Sequence, residues 1–168
     1  MPLMIAYMYL KLFFLRMLTS MFLILLISQT AHANPSCLTT ATGPIAIYDP
    51  LGAANIYGVG NVKVTCIYVG LGSPAVAYQI QLSTGVSNSF NNRTMRFLAN
   101  QLVYNLYINP SYSLVWGDNT SGTATVNDGY SISAGTIIKN YPVYMRIPSS
   151  QLVNAGSYAD TITVTVVY

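Results

Sequence analysis

The sequence predicts an all-β protein: an antiparallel β-sandwich formed by the part of the chain after residue 33. Apolar and polar residues alternate with a period of two in several short segments, as they do in strands with one buried face. Gly, Pro, Asn and Ser separate these segments, and none of them has the 3.6-residue period of an amphipathic helix. About seven short strands divided by turns are typical of a sandwich with one core.

Five segments show the alternation clearly, and each is expected to bury every second side chain. The expected inward residues are Val62, Val64, Cys66 and Tyr68; Tyr78, Ile80 and Leu82; Leu102, Tyr104, Leu106 and Ile108; Tyr141, Val143, Met145 and Ile147; and Ile162, Val164, Val166 and Tyr168. "PIAIYD" near residue 45 and "TATV" at residue 123 predict weaker strands. Because Pro142 cannot donate to a ladder, its strand is expected to start near Tyr141 or to lie at an edge or bulge.

The last segment, "DTITVTVVY" at residues 160–168, lacks the usual protection of an open sheet edge. It has a strongly apolar face, contains neither Pro nor Lys, and is followed by no further residue of the sequence. The pattern therefore raises the question of which strand lies beside it, and of which chain supplies that strand.

The first 33 residues predict a secretory signal peptide. Lys11 and Arg16 precede an uncharged run at residues 17–28, and Ala31 and Ala33 form a small-x-small cleavage site. A retained membrane anchor is the alternative, but no uncharged run reaches the roughly 18–20 residues that a span needs. We expect a signal peptide at residues 1–33 and one exported domain at residues 34–168.

The two cysteines, Cys37 and Cys66, both follow the expected cleavage site. An exported chain with one pair is expected to form one disulfide, and closing a loop of about 30 residues contributes roughly 3–4 kcal/mol. Two free buried thiols are the alternative. No metal site is expected, because two Cys without a His in the same domain do not complete a zinc shell.

The charged residues of the expected domain exclude several functions. Five Lys and Arg residues stand against four Asp, with no basic patch that favours nucleic acid. The domain has no His and no Glu, so the usual general bases are missing, and its Asp residues lie beside turns or just before a strand. We expect no enzyme and no cofactor. Trp116 is expected to shield one end of the sandwich, and Arg146 to pair with a carboxylate or loop carbonyls.

Tyrosine is abundant, and its ring and hydroxyl together suit contact with carbohydrate or protein. Tyrosines at inward positions are expected to be structural. The alternation does not decide the place of five others, and a ligand role for them stays open: Tyr107, Tyr112, Tyr130, Tyr144 and Tyr158.

Several segments together resemble the spore coat protein U family, which includes subunits of archaic chaperone–usher pili. The order and spacing agree over nearly the whole of residues 34–168. The matching segments are "YDPLGAA" (48–54), "VKVTC" (62–66), "RTM" (93–95), "LVYNLYINPSYSLVWGD" (102–118), "VYMRIP" (143–148) and "YADTITVTVVY" (158–168).

The resemblance implies an immunoglobulin-like, Greek-key sandwich that lacks its final strand. It implies three partners: a periplasmic chaperone that first fills the gap, an outer-membrane usher, and a neighbouring pilus subunit whose N-terminal extension then adds the missing strand. Ile162, Val164, Val166 and Tyr168 would border the acceptor groove, with residues 45–48 as the opposite wall. The expected function is that of an exported structural and adhesive subunit at the cell surface, in attachment and biofilm.

The sequence departs from this family before its first cysteine. Ordinary subunits carry a donor segment of about 10 residues there, but only residues 34–36 separate the expected cleavage site from Cys37. The chain is therefore expected to accept a strand without giving one, which suits the tip of a fibre. Two alternatives stay open: a secreted relative that never polymerises, and a free sandwich that binds glycan or coat material through Tyr and Trp.

Overall fold

The computed structural model describes residues 11, 13, 15–17 and 33–168. The chain divides into two compact units, Met1–Ala33 and Asn34–Tyr168. In the first unit residues 11, 13 and 15–17 are helical, while residues 18–28 of the uncharged run and Ala31 of the expected signal peptide lie outside the described residues. No helix among the described residues is long and apolar enough to cross a membrane.

The second unit is an immunoglobulin-like sandwich of two antiparallel sheets, which confirms the predicted fold class. The larger sheet has the order β1-β2-β7-β5-β4, and the smaller has the order β6-β3-β8. The strands are β1 (Ser36–Thr42), β2 (Ile56–Tyr68), β3 (Ala75–Leu82), β4 (Arg93–Phe97), β5 (Asn100–Tyr107), β6 (Val126–Ser131), β7 (Gly135–Ile147) and β8 (Val164–Val167), with a 3₁₀ turn at Gly85–Ser87.

The core lies between the sheets and is built from the inward residues that the alternation predicts. Every second side chain along a strand points to the same face, so one face of each strand can be buried entirely. Each such aliphatic side chain contributes about 1.5–3 kcal/mol when it leaves water. The fully buried predicted residues are Val62, Val64, Cys66, Tyr68, Tyr78, Ile80, Leu82, Leu102, Tyr104, Leu106, Val143, Met145 and Ile147.

The predicted disulfide between Cys37 and Cys66 is confirmed. The two residues lie directly opposite each other in the β1–β2 ladder, so the bond joins edge strand β1 to its neighbour β2 in the larger sheet. The segment that follows β1 is thereby anchored at its N-terminal side.

Two of the weaker strand predictions are wrong. Residues 45–48 form no strand, because the chain leaves the β1 ladder after Thr42 and crosses over β2. "TATV" contributes an isolated bridge between Ala124 and Trp116, and only its last residue, Val126, belongs to a strand, which it begins. That strand reads "VNDGYS", in which Asp and Gly obscure the expected pattern.

Strand β7 begins at Gly135, well before Pro142, so the prediction that it starts near Tyr141 is wrong. Pro142 pairs with Asn61 of β2 on one side. On its other side β5 pairs only with the three residues from Tyr144 to Arg146, so at Pro142 the strand has no ladder there to interrupt. The proline is tolerated because β7 is locally an edge at that position.

Candidate functional site

A groove opens between the segment that follows β1 and the segment that leads into β8. One wall consists of residues 41–48 and the other of residues 153–164. Two cavities of about 470 Å³ and about 550 Å³ lie along it, and Met95 and Tyr158 line both of them. These residues and cavities are called the groove below.

The floor of the groove is the hydrophobic core itself. Its lining side chains come from both sheets, so the groove reaches the space between them. An apolar side chain that entered from outside would contact core residues directly. The core residues exposed to the two cavities are Val62, Leu82, Leu102, Tyr104, Leu106, Val143 and Ile147.

Both walls of the groove carry backbone that no described strand pairs. Strand β8 is the last strand of the smaller sheet and pairs only with β3. Within the described chain, residues 43–48 belong to no ladder, and the side chains of Ile45 and Ile47 are each 91% exposed. Free ladder edges beside an apolar floor are the features that recruit another strand.

The wall at residues 43–46 depends on two glycines of β2 whose missing side chains would point toward it. A Cβ on Gly60 would stand 2.8 Å from Pro44 N and 2.9 Å from Pro44 Cδ, and one on Gly58 would stand 3.2 Å from Ile45 O. The approaches at Gly60 are closer than a Cβ permits, and the one at Gly58 would require Ile45 to shift by a few tenths of an ångström. The glycines therefore allow the segment after β1 to lie directly against β2.

The structure brings together two of the four predicted groove residues. Ile162, just before β8, and Val164, the first residue of β8 in the smaller sheet, line the first cavity and pack half-buried against the core. Val166 also packs against the core but does not line the groove. Tyr168 is 67% exposed and does not line the groove. Its ring lies 5.9 Å from the ring of Tyr78, a core residue that lines neither cavity.

Asp160 is a polar feature of the groove that joins three segments. Its Oδ2 accepts a hydrogen bond of 2.6 Å from the Tyr104 hydroxyl. Its Oδ1 accepts from the backbone N–H groups of Val86, at 3.0 Å, and Thr161, at 2.7 Å. Burial, and then the bond to this carboxylate, raise the pKa of Tyr104, so the phenol stays protonated as donor.

Arg93 is a structural residue that the sequence reasoning missed. Its side chain is fully buried, and its guanidinium donates to Ser83 O (2.7 and 3.0 Å), Asn105 Oδ1 (2.8 Å) and Trp116 O (2.7 Å). Burial lowers its pKa from the ordinary value. The available signal was its spacing of two from the inward-facing Met95 of the same strand.

The structure buries Trp116 completely, and its indole Nε1 donates a 3.0 Å hydrogen bond to Ile80 O.

Arg146 was expected to pair with a carboxylate or loop carbonyls, and this expectation is wrong. Its guanidinium donates a 2.8 Å hydrogen bond to the Tyr107 hydroxyl and lies 5.1 Å from the centre of that ring. The reason is its register, since its cross-strand neighbours are Tyr57 on β2 and Asn105 on β5.

Among the described residues, no three His, Cys, Asp or Glu side chains are placed to hold a metal ion.

Comparison with protein families supplies the identity of the domain. The Spore Coat Protein U domain matches residues 23–165. This chain belongs to the spore coat protein U family. Protein U of Myxococcus xanthus, a similar relative, is 27% identical over 127 residues, which cover 74% of this chain and 67% of that protein.

Two solved structures have similar folds to this spore coat protein U domain. One is the CsuC–CsuE chaperone–tip adhesion subunit pre-assembly complex from archaic chaperone–usher Csu pili of Acinetobacter baumannii, with 22% identity, a TM-score of 0.49 and 80% of this chain covered. The other is a chaperone–tip adhesin complex of CFA/I fimbriae, with 16% identity, a TM-score of 0.39 and 83% covered. In each case the chain spans 40% of the length of the chain it matches.

Proposed function

We propose that this spore coat protein U domain is an exported structural and adhesive subunit of a chaperone–usher pilus, and that its groove accepts a strand from another chain. One observation carries the proposal: the core is open along a groove whose two walls have unpaired backbone within the described residues. An incomplete sandwich of this kind exposes a ladder edge and an apolar floor, which favour association until something covers the opening.

The incoming strand would run between residues 43–48 and β8. Its backbone would pair with the free edge of β8, and every second side chain would enter the cavities and contact the floor. This arrangement answers the question raised by the apolar C-terminal segment. Its neighbour comes from another chain.

We propose three partners for the subunit, and the open groove supports a role for the two that would supply a strand. A periplasmic chaperone would hold the groove closed first, an outer-membrane usher would export the subunit, and a neighbouring subunit would then replace the chaperone strand. We also propose a place at the fibre tip, with a role in attachment and biofilm. Strand β1 begins at Ser36, so between the expected cleavage site and β1 there is no room for a donor strand.

A thermal-shift experiment tests strand acceptance. The ligand is a synthetic peptide with alternating apolar residues, copied from the N-terminal segment of a pilus shaft subunit. We expect it to raise the melting temperature, because it binds only the folded state. Val164→Asp, which places a charge in the groove, should abolish the rise, whereas Thr165→Asp on the exposed face of the same strand should preserve it.

Circular dichroism of both variants before the peptide is added separates a failed fold from a failed site. Co-expression with a periplasmic chaperone of a chaperone–usher pilus should increase the soluble yield. A soluble, stable monomer whose melting temperature no donor peptide changes would contradict strand acceptance, and it would favour a free secreted sandwich.

A further inference from the structure

The outer face of the larger sheet carries a cluster of aromatic side chains around one cation. The β2–β7 register places Tyr57 opposite Arg146, and the β5–β7 register places Tyr107 opposite Tyr144. Tyr112, from the loop after β5, adds a fifth side chain. These five residues are called the tyrosine patch.

Tyr112 is the centre of the tyrosine patch. Its ring centroid lies 4.6 Å from that of Tyr57, 5.5 Å from that of Tyr107 and 6.3 Å from that of Tyr144. Tyr57 is 50% exposed and Tyr112 and Tyr144 are half-buried, whereas Tyr107 is buried, so the open part of the patch is formed by the first three rings. Tilted and edge-on rings of this kind form a preorganised aromatic platform.

The loop that carries Tyr112 holds it in an unfavourable conformation. Tyr112 has a φ of 54°, in the left-handed region that a bulky residue rarely adopts. Asn109 fixes the turn: its carbonyl accepts from Tyr112 N at 3.1 Å, and its side chain accepts from Ser113 N at 3.2 Å. Backbone strain of this kind is concentrated where a side chain has to be presented in a particular place.

The polar groups of the tyrosine patch are largely unused. Among the described residues, the hydroxyls of Tyr57, Tyr112 and Tyr144 have no hydrogen-bond partner. Arg146 has one, the Tyr107 hydroxyl at 2.8 Å, and forms no ion pair with a described carboxylate. A guanidinium has five N–H donors, so most of its capacity is available to a ligand.

We propose that the tyrosine patch binds an acidic glycan through a uronic acid unit. The apolar C–H face of a pyranose ring would lie on Tyr57 and Tyr112, and the free tyrosine hydroxyls would bond to sugar hydroxyls. The sugar carboxylate would accept two hydrogen bonds from Arg146, whose planar fork fits that group. Arg146 is the one cation of the tyrosine patch, and because no described carboxylate pairs with it, the patch should prefer a sugar that carries a carboxylate to a neutral sugar.

This site is independent of the groove. It lies on the outward face of β2, β7 and β5, whereas the groove reaches the inward face, so the proposal holds whether or not a donor strand binds.

Calorimetric titration of the exported protein with trigalacturonate tests the proposal. We expect binding that Arg146→Gln and Tyr57→Ala each weaken at least tenfold, while Arg146→Lys retains part of it. Arg96→Gln is the matched control, because it removes the same charge from an exposed side chain of β4 outside the tyrosine patch. The single tryptophan, buried Trp116, reports by fluorescence that every variant is folded.

The neutral trisaccharide of galactose should bind at least tenfold more weakly than trigalacturonate. Equal binding of the two sugars would overturn the proposal, because Arg146 would then read no charge. An equal loss in Arg96→Gln would overturn it as well, since the attraction would be non-specific, and so would an absence of binding by the folded protein.

Discussion

The hydroxyl of Tyr104 donates a 2.6 Å hydrogen bond to Asp160 Oδ2, and this bond fixes one wall of the groove to central strand β5. The same carboxylate accepts from the backbone of Val86, in the 3₁₀ turn. A second contact holds the same wall: Ala159 and Arg96 of β4 exchange two backbone hydrogen bonds, at 2.8 and 3.1 Å. The wall therefore keeps its position beside an open core. A groove that is already formed lowers the ordering cost of binding.

Replacing Tyr104 with Phe should lower the free energy of unfolding by about 1.5–3 kcal/mol, the usual range for a hydrogen bond to a charged group. Urea unfolding followed by Trp116 fluorescence measures it. Tyr168→Phe is the control, since this exposed hydroxyl has no hydrogen-bond partner among the described residues. Equal unfolding free energies for the two variants would show that the Asp160 bond does not hold the wall.

Arg93 and Arg96 lie three residues apart on β4, and replacing each should change the free energy of unfolding by very different amounts. Arg93→Met should lower the free energy of unfolding by about 3 kcal/mol or more, because buried acceptors in three segments lose their donor at about 1–3 kcal/mol each. Arg96→Met, at an exposed side chain, should change it by less than about 0.5 kcal/mol. Chemical denaturation curves of the two variants check the contrast; similar small losses would contradict it.

Trp116→Ala should lower the free energy of unfolding by about 3–5 kcal/mol, the range for removing a fully buried aromatic side chain. The variant also leaves Ile80 O without its indole donor. Far-ultraviolet circular dichroism follows the unfolding, since the variant has no tryptophan. A variant with unchanged thermal stability that no longer binds its surface would reverse the assignment and make Trp116 a binding residue.

The sequence predicted the sandwich and most of its core, because period-two burial is a local property of each strand. It predicted the disulfide from composition and compartment alone. It could not place Arg93, since the charge is satisfied by backbone carbonyls of distant segments. It also misplaced residues 45–48: the local pattern predicts a strand, but Gly58 and Gly60 let that segment leave the ladder.

The sequence predicted only part of the groove, because the alternation of side chains is a local property of each strand. Ile162 and Val164 line it as their alternation predicts, but Tyr168 turns toward Tyr78 and Val166 stays in the core. Alternation determines which face a side chain takes. It does not determine where along the strand the neighbouring segment departs and opens a cavity.

Asp128 should make stability depend on pH in the acid range. The hydrogen bond from Tyr141, at 2.5 Å, lowers the pKa of the Asp128 carboxyl, with a smaller contribution from Lys139 at 3.7 Å. A carboxyl with a depressed pKa stabilises the fold above its unfolded pKa of about 3.9, and that contribution disappears as the pH falls through the folded value. The melting temperature of Asp128→Asn should therefore lie below that of the unmodified protein at neutral pH.

The two melting temperatures should converge only when the pH falls below the depressed pKa of the folded Asp128 carboxyl, where both proteins are uncharged at this position. Tyr141→Phe removes the same hydrogen bond from the donor side and should reproduce the convergence. Melting temperatures that differ by the same amount from pH 2 to pH 7 would assign the effect to packing instead.

Backbone amide hydrogen exchange tests strand acceptance most directly. It should be measured with and without the alternating apolar donor peptide. Residues 43–48 and the free side of β8 have no ladder partner among the described residues, so their amides should exchange quickly in the isolated protein. The peptide should slow exchange in the amides on the free side of β8 and leave those at the centre of β2 and those that face β3 unchanged. Protection of the free-side amides before any peptide is added, or peptide binding that leaves them unprotected, would contradict strand acceptance.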